Sequence, residues 1–151
     1  MLSGSHVFNN DNDKLSLGST ERLQCNAFLY QIATEKVNLY EAFKRLKARC
    51  APGLDGYTKI SYTKQLDNSI AKLYKDLKSH KYKPSPIKVI YIPKPNGGKR
   101  PLGIASVRDK IVQAAFKKEL ESLYEPLFYD CSFGFRPGLS CHSALKRVKK
   151  K

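Results

Sequence analysis

Ile92-Pro93-Lys94-Pro95-Asn96-Gly97-Gly98-Lys99-Arg100-Pro101-Leu102-Gly103-Ile104 is the stretch from which the rest of the chain can be read. The apolar run Val89 to Ile92 leads into it. Asn-Gly pairs such as Asn96-Gly97 supply the positive φ angles of a two-residue hairpin. The pattern therefore predicts a strand over 87–92, a tight turn at Asn96-Gly97-Gly98, and a return strand through 102–104. Lys94, Lys99 and Arg100 surround the turn with no acid among them, and Pro93, Pro95 and Pro101 stiffen it. A rigid tip that concentrates positive charge suits phosphate, on a nucleic-acid backbone or on a nucleotide. Lysine-rich tips also serve solubility and block edge pairing, so charge alone leaves both readings open.

Outward from the hairpin the signals are mostly helical. Upstream, Thr20 is placed to cap a helix reaching about 36, with Leu23, Ala27, Tyr30 and Ala33 on one face. A second helix is expected over 39–49, with Tyr40, Phe43 and Leu46 inward. Pro52-Gly53-Leu54-Asp55-Gly56 reads as a loop. A third helix fits 63–79, where Leu66, Ile70, Leu73, Tyr74 and Leu77 recur at three and four. Its outer face carries Lys72, Lys75 and Lys78, followed by Lys81 and Lys83; these are a solvated face or a contact for RNA backbone. Pro84 and Pro86 then set an extended chain. Downstream, Ser106-x-x-Asp109 is a cap for a helix to about 124, in which Val112, Phe116, Leu120 and Tyr124 are expected to be buried. Residues 127–139 form an aromatic, glycine-bearing loop or short strand. A last helix begins near 140 and ends in Lys146-Arg147-Val148-Lys149-Lys150-Lys151. Residues 1–19 are polar and without period, the pattern of a disordered segment, so the folded region is expected over 20–151.

The chain has 151 residues, enough for one domain with a core. Its formal net charge is +15, which favours nucleic acid or another anionic partner. Residues 1–34 hold two basic and three acidic groups, so the excess belongs to the region that carries the motifs. No apolar run approaches the ~18–20 residues that span a bilayer, so no membrane partner is expected. The N-terminal stretch resembles neither a secretory signal nor a transit peptide. Cys25, Cys50, Cys131 and Cys141 lack paired spacing, which points to free thiols in a reducing compartment rather than a metal site.

The hairpin stretch resembles the first conserved block of reverse transcriptase/maturase proteins encoded in group II introns. The likeness continues through Arg108-Asp109-Lys110-Ile111-Val112-Gln113 and Glu125-Pro126-Leu127-Phe128. It then reaches Cys131-Ser132-Phe133-Gly134-Phe135-Arg136-Pro137-Gly138, which is similar to the second block. Upstream, Asn38-Leu39-Tyr40-Glu41-Ala42-Phe43 and Gly53-Leu54-Asp55-Gly56 resemble the opening segment, so the likeness covers about residues 36 to 145. Ala105-Ser106 replaces a pair that often contains proline, and Cys131 stands where asparagine is common; neither change removes a charge. By resemblance, Lys94 and Arg100 meet the triphosphate of an incoming nucleotide, where two cations would offset charge during phosphoryl transfer. Lys99 would meet the nucleic-acid backbone. Arg108 and Gln113 are further contact candidates. So is Arg136, which the residues alone allow to be either a phosphate ligand or a structural hydrogen-bond donor. Arg108 is also placed to pair with Asp109 at the helix start. Tyr82, Tyr91 and Tyr129 suit base stacking or packing.

The family's polymerase chemistry needs paired carboxylates that hold two metal ions. The resemblance puts those acids beyond the second block, and the last acid here is Asp130. It thus implies an α+β fold, with helices around a small antiparallel hairpin, corresponding to polymerase fingers without a complete palm. The expectations are no catalytic residue and no metal ligand in this chain, Mg²⁺ only with a complementing palm, and no polymerisation by the chain alone. Expected partners are intron RNA and template–primer, with a separately encoded palm or thumb polypeptide as a further one. A truncated reading frame, one piece of a split gene, or a retained RNA-binding subunit of a ribonucleoprotein would each fit. So would a general basic nucleic-acid binder, on charge alone. The implied setting is a mitochondrion or plastid, or a bacterial cytoplasm.

Overall fold

In a computed structural model, residues 19–149 are described. The expectation of a disordered segment over 1–19 lies outside them, except that Ser19 opens the first helix. The described elements are α1 (Ser19–Ala33), α2 (Lys36–Arg45), α3 (Lys59–Thr63), α4 (Leu66–Lys78), β1 (Lys88–Pro93), β2 (Lys99–Ile104), α5 (Val107–Tyr124), a 3₁₀ turn (Glu125–Leu127) and α6 (Cys141–Lys149). The class is α+β: six helices and one two-stranded antiparallel sheet among the described residues. Among the described residues no helix is long and apolar enough to cross a membrane.

The described residues divide into two compact units, Asn26–Glu119, and residues 120–149 together with 19–25. Every buried apolar side chain among the described residues belongs to the first unit. There Leu39, Ala42 and Phe43 of α2 meet Tyr62 of α3, Ile70, Leu73 and Leu77 of α4, and Val107, Ile111, Val112 and Ala115 of α5. In α4 the spacing of three and four selects the buried side as the sequence predicts, with Leu66 and Tyr74 half-buried beside it. In α2 the inward face centres on Leu39, Ala42 and Phe43, while Tyr40 and Leu46 cover its rim.

Several boundaries differ from the sequence reading. Thr20 lies inside α1 rather than capping it, and Ala27 is exposed. A short helix, α3, precedes α4 because Thr58 and Ser61 form a reciprocal capping box, and Gln65 (φ −128°, ψ 27°) breaks the helical path before Leu66. The largest correction concerns α5. Of its expected stripe only Val112 is buried; Phe116 is half-buried, and Leu120 and Tyr124 are 41% and 49% exposed. A repeat of four overshoots the 3.6-residue turn by about 40° per step, so after three steps it has left the buried face. The residues that stay on that face are Val107, Ile111 and Ala115.

The hairpin also differs in its turn. Lys94 N–H donates to the Gly98 carbonyl (2.7 Å) and Gly97 N–H to the Lys94 carbonyl (3.1 Å). Gly97 has φ +78°, while Asn96 stays at negative φ. The loop is thus three residues, Pro95-Asn96-Gly97, rather than an Asn-Gly pair. Pro95 is the cause: its fixed φ suits the second position of a type I turn, which is closed by a residue in the left-handed region. The strands pair from Lys88 opposite Ile104 to Pro93 opposite Lys99.

Candidate nucleic-acid interface

The hairpin tip gathers three cations that meet no acid among the described residues. Lys94, Lys99 and Arg100 are exposed and form no ion pair with a described residue. Register separates them. Arg100 stands opposite Ile92, and Lys99 opposite Pro93, so their side chains leave on opposite faces of the ribbon. Lys94 and Arg100 instead share one open cleft of about 510 Å³, lined also by Pro93, Pro95 and Asn96. Such a cleft can receive an anionic group between two cations while Lys99 faces elsewhere.

The ribbon that carries this tip is anchored at its root. Asp109 on α5 is 3% exposed, the one buried carboxylate among the described residues. Its Oδ1 accepts from the Tyr82 hydroxyl (2.6 Å). Its Oδ2 accepts from the Ser85 N–H (3.0 Å) and the Ser106 hydroxyl (2.8 Å). Ser106 Oγ in turn accepts the Asp109 N–H (3.1 Å), the expected N-terminal cap of α5. Ser85 precedes β1 and Ser106 follows β2, so one carboxylate ties both ends of the hairpin. Burial pushes the Asp109 carboxyl up, but the hydrogen bonds from Tyr82, Ser106 and Ser85 outweigh it and hold the group below its ordinary range. Burial, then the bond to Asp109, raises the Tyr82 phenol. Gly53 completes the root: a Cβ there would lie 2.7 Å from the backbone of Ser106.

The other candidates fall into two groups. Lys72 and Lys75 on α4 and Gln113 on α5 are exposed, the lysines without an acidic partner among the described residues. Lys78 is bonded to Glu35 (2.9 Å), which raises its pKa. Arg108 is held by Asp76 (2.8 Å) and lies over the Tyr82 ring. The anticipated pairing of Arg108 with Asp109 is therefore corrected: successive residues on a helix diverge, and each finds a different partner. Arg136, in the second unit, donates to Glu125 Oε1 (2.8 Å) and to the Tyr129 and Ser132 carbonyls, and lies over Phe128. It braces its loop. The next residue outward, Phe135, is fully exposed with φ +58°. Tyr91 and Tyr129 are exposed; Tyr82 is engaged at the hairpin root.

No three His, Cys, Asp or Glu side chains among the described residues are grouped to hold a metal ion. The described residues do not fit a two-metal centre. Cys50, Cys131 and Cys141 are free thiols.

Comparison with known proteins adds the family. No protein-family model matches the chain. Over 140 residues, 91% of the chain, it is 36% identical to the group II intron-encoded protein LtrA of Lactococcus lactis subsp. cremoris, covering 23% of that protein. It is 42% identical over 103 residues, 68% of the chain, to protein YkfC of Escherichia coli strain K12, of which it covers 27%. It is 52% identical over 79 residues, 52% of the chain, to a 91 kDa protein in the cob intron of Schizosaccharomyces pombe, covering 10% of it. The chain thus spans about a quarter or less of the length of these relatives.

Proposed function

We propose a function from one premise, that this chain is a homologue of group II intron-encoded proteins: its β1–β2 hairpin binds RNA and nucleotide phosphate as part of a reverse transcriptase/maturase. The carrying observation is the hairpin tip, where Lys94 and Arg100 share a cleft and Lys99 faces away, none of them paired with an acid among the described residues. In this reading Lys94 and Arg100 take the triphosphate of an incoming nucleotide, and Lys99 takes the nucleic-acid backbone. Lys72 and Lys75 extend the cationic track, and Gln113 is an additional contact. Arg108, Lys78 and Arg136 act indirectly, since their charges are already paired within the fold.

The carboxylates and Mg²⁺ of DNA synthesis are supplied outside the described residues, by further chain or by a separate palm polypeptide. These residues bind and position; they do not catalyse. Homologues come from bacteria and from mitochondrial introns, and the protein works beside intron RNA in one of those settings.

Equilibrium binding to a labelled group II intron RNA, across a salt series, tests the reading. Lys99→Ala should weaken RNA binding and flatten the log–log salt slope by ~0.7–0.9, the share of one lost phosphate contact, and Lys94→Ala/Arg100→Ala should weaken binding of a labelled nucleoside triphosphate by about tenfold or more. Unchanged affinity and slope would overturn it. Equal affinity for duplex DNA at the same salt would instead mark a general basic binder.

A further inference from the structure

The two ends of the hairpin are the places where its aim is decided. β1 and β2 are exposed on both faces, with Val89 55%, Tyr91 67% and Leu102 44% exposed, so side-chain packing does little to fix the ribbon's direction. What fixes it is the root. Asp109 receives three hydrogen bonds of 2.6–3.0 Å from Tyr82, Ser85 and Ser106, which bracket both strands.

We propose that Asp109 is the positioning residue of the hairpin: its buried carboxylate sets the angle at which Lys94 and Arg100 are presented to nucleotide phosphate. The proposal rests on the phosphate-binding reading above for its consequence, but not for its geometry. Asp109 touches no ligand. It acts by joining the chain before β1 to the chain after β2 through one rigid acceptor, and α5 supplies the fixed frame. The Tyr82 ring, stacked beneath the Arg108 guanidinium (5.1 Å), keeps the longest of the three arms in place. Asn at this position keeps the volume but replaces two charged acceptor oxygens by one neutral oxygen and an NH2 group, so the bonds that hold the strand ends are weakened.

Two measurements on the full chain test this. First, with the four native cysteines changed to serine, nitroxide labels at Asn96→Cys on the tip and Asn68→Cys on α4 report the distance distribution by pulsed electron resonance. Asp109→Asn should broaden it, and Tyr82→Phe, which removes one bond of three, should broaden it less. The phenylalanine variant also serves if the asparagine variant fails to fold. A distribution as narrow as the parent's in both variants overturns the proposal, whatever the nucleotide does. Second, in binding of a labelled nucleoside triphosphate, Asp109→Asn should weaken affinity about tenfold in the parent and have almost no effect when Lys94 and Arg100 are both alanine, because the loss passes through those side chains. A stability effect would instead persist in both backgrounds. Broadening together with a parent affinity that ignores Lys94 and Arg100 would sink the functional reading and leave the positioning role standing. Broadening with affinity that depends on Lys94 and Arg100 but not on Asp109 would overturn the proposal.

Discussion

Asp109 is the residue whose surroundings carry the most consequence. Its folded carboxyl lies below the ordinary value of 3.8, so the fold prefers the ionised form. The stability it contributes is complete above that ordinary value and is lost as pH falls through the depressed folded one. Three hydrogen bonds to a buried charge make the neutral-pH contribution on the order of 2–3 kcal/mol. Asp109→Asn should therefore melt well below the parent at pH 7, and the gap between their melting temperatures should narrow as pH drops below 3.8. A gap independent of pH would show that the carboxylate's charge is irrelevant. Part of this site was legible: the Ser106-x-x-Asp109 spacing announces a helix cap, and the cap is there. Tyr82 and Ser85 were not legible, because they lie 27 and 24 positions away and reach Asp109 only after α4 and α5 have packed.

At the scale of elements, the hairpin and its root differ in kind. The turn is local chemistry, in which Pro95 and Gly97 decide the loop. The root is tertiary, where Gly53 of a distant loop presses on Ser106. Two glycine substitutions separate these. Gly53→Ala would put a Cβ 2.7 Å from the Ser106 backbone and should cost about 1–3 kcal/mol, visible as a lower urea midpoint of the whole fold. Gly97→Ala meets nothing within 4 Å but must hold φ +78°, a strain of about 1 kcal/mol. That strain should lower the urea midpoint less than Gly53→Ala does and speed hydrogen exchange chiefly along β1 and β2. Equal midpoint shifts in the two variants would contradict this division. Helix α5 shows the complementary lesson: the expected period of four meets the buried face only at Val112 and then drifts off the core, and the buried Val107, Ile111 and Ala115 lie outside that stripe.

At the scale of the whole molecule, the buried apolar side chains among the described residues gather in one unit. The core is made by α2, α3, α4 and α5 within Asn26–Glu119, and Leu73 is among its fully buried members. Leu73→Ala should cost about 2–5 kcal/mol in chemical denaturation. Leu145→Ala on α6, at a position 62% exposed, should change stability by less than about 0.5 kcal/mol. Comparable losses at the two positions would mean that α6 buries surface the described fold leaves open.

By itself, the sequence determined the class, the helices that carry strong three-and-four spacing, the hairpin, its unbalanced charge and the kinship with intron-encoded proteins. These depend on residues close together in the chain: backbone preference, turn chemistry and short motifs act over a few positions. Tertiary structure alone decided which cations stay free. Arg108, Lys78 and Arg136 look like Lys94 and Arg100 in a sequence, yet Asp76, Glu35 and Glu125 neutralise them. It also decided that one buried carboxylate joins both ends of the hairpin. Pairing of that kind is settled by distance in space, and a carboxylate is stable in a core only where the fold brings enough donors to it.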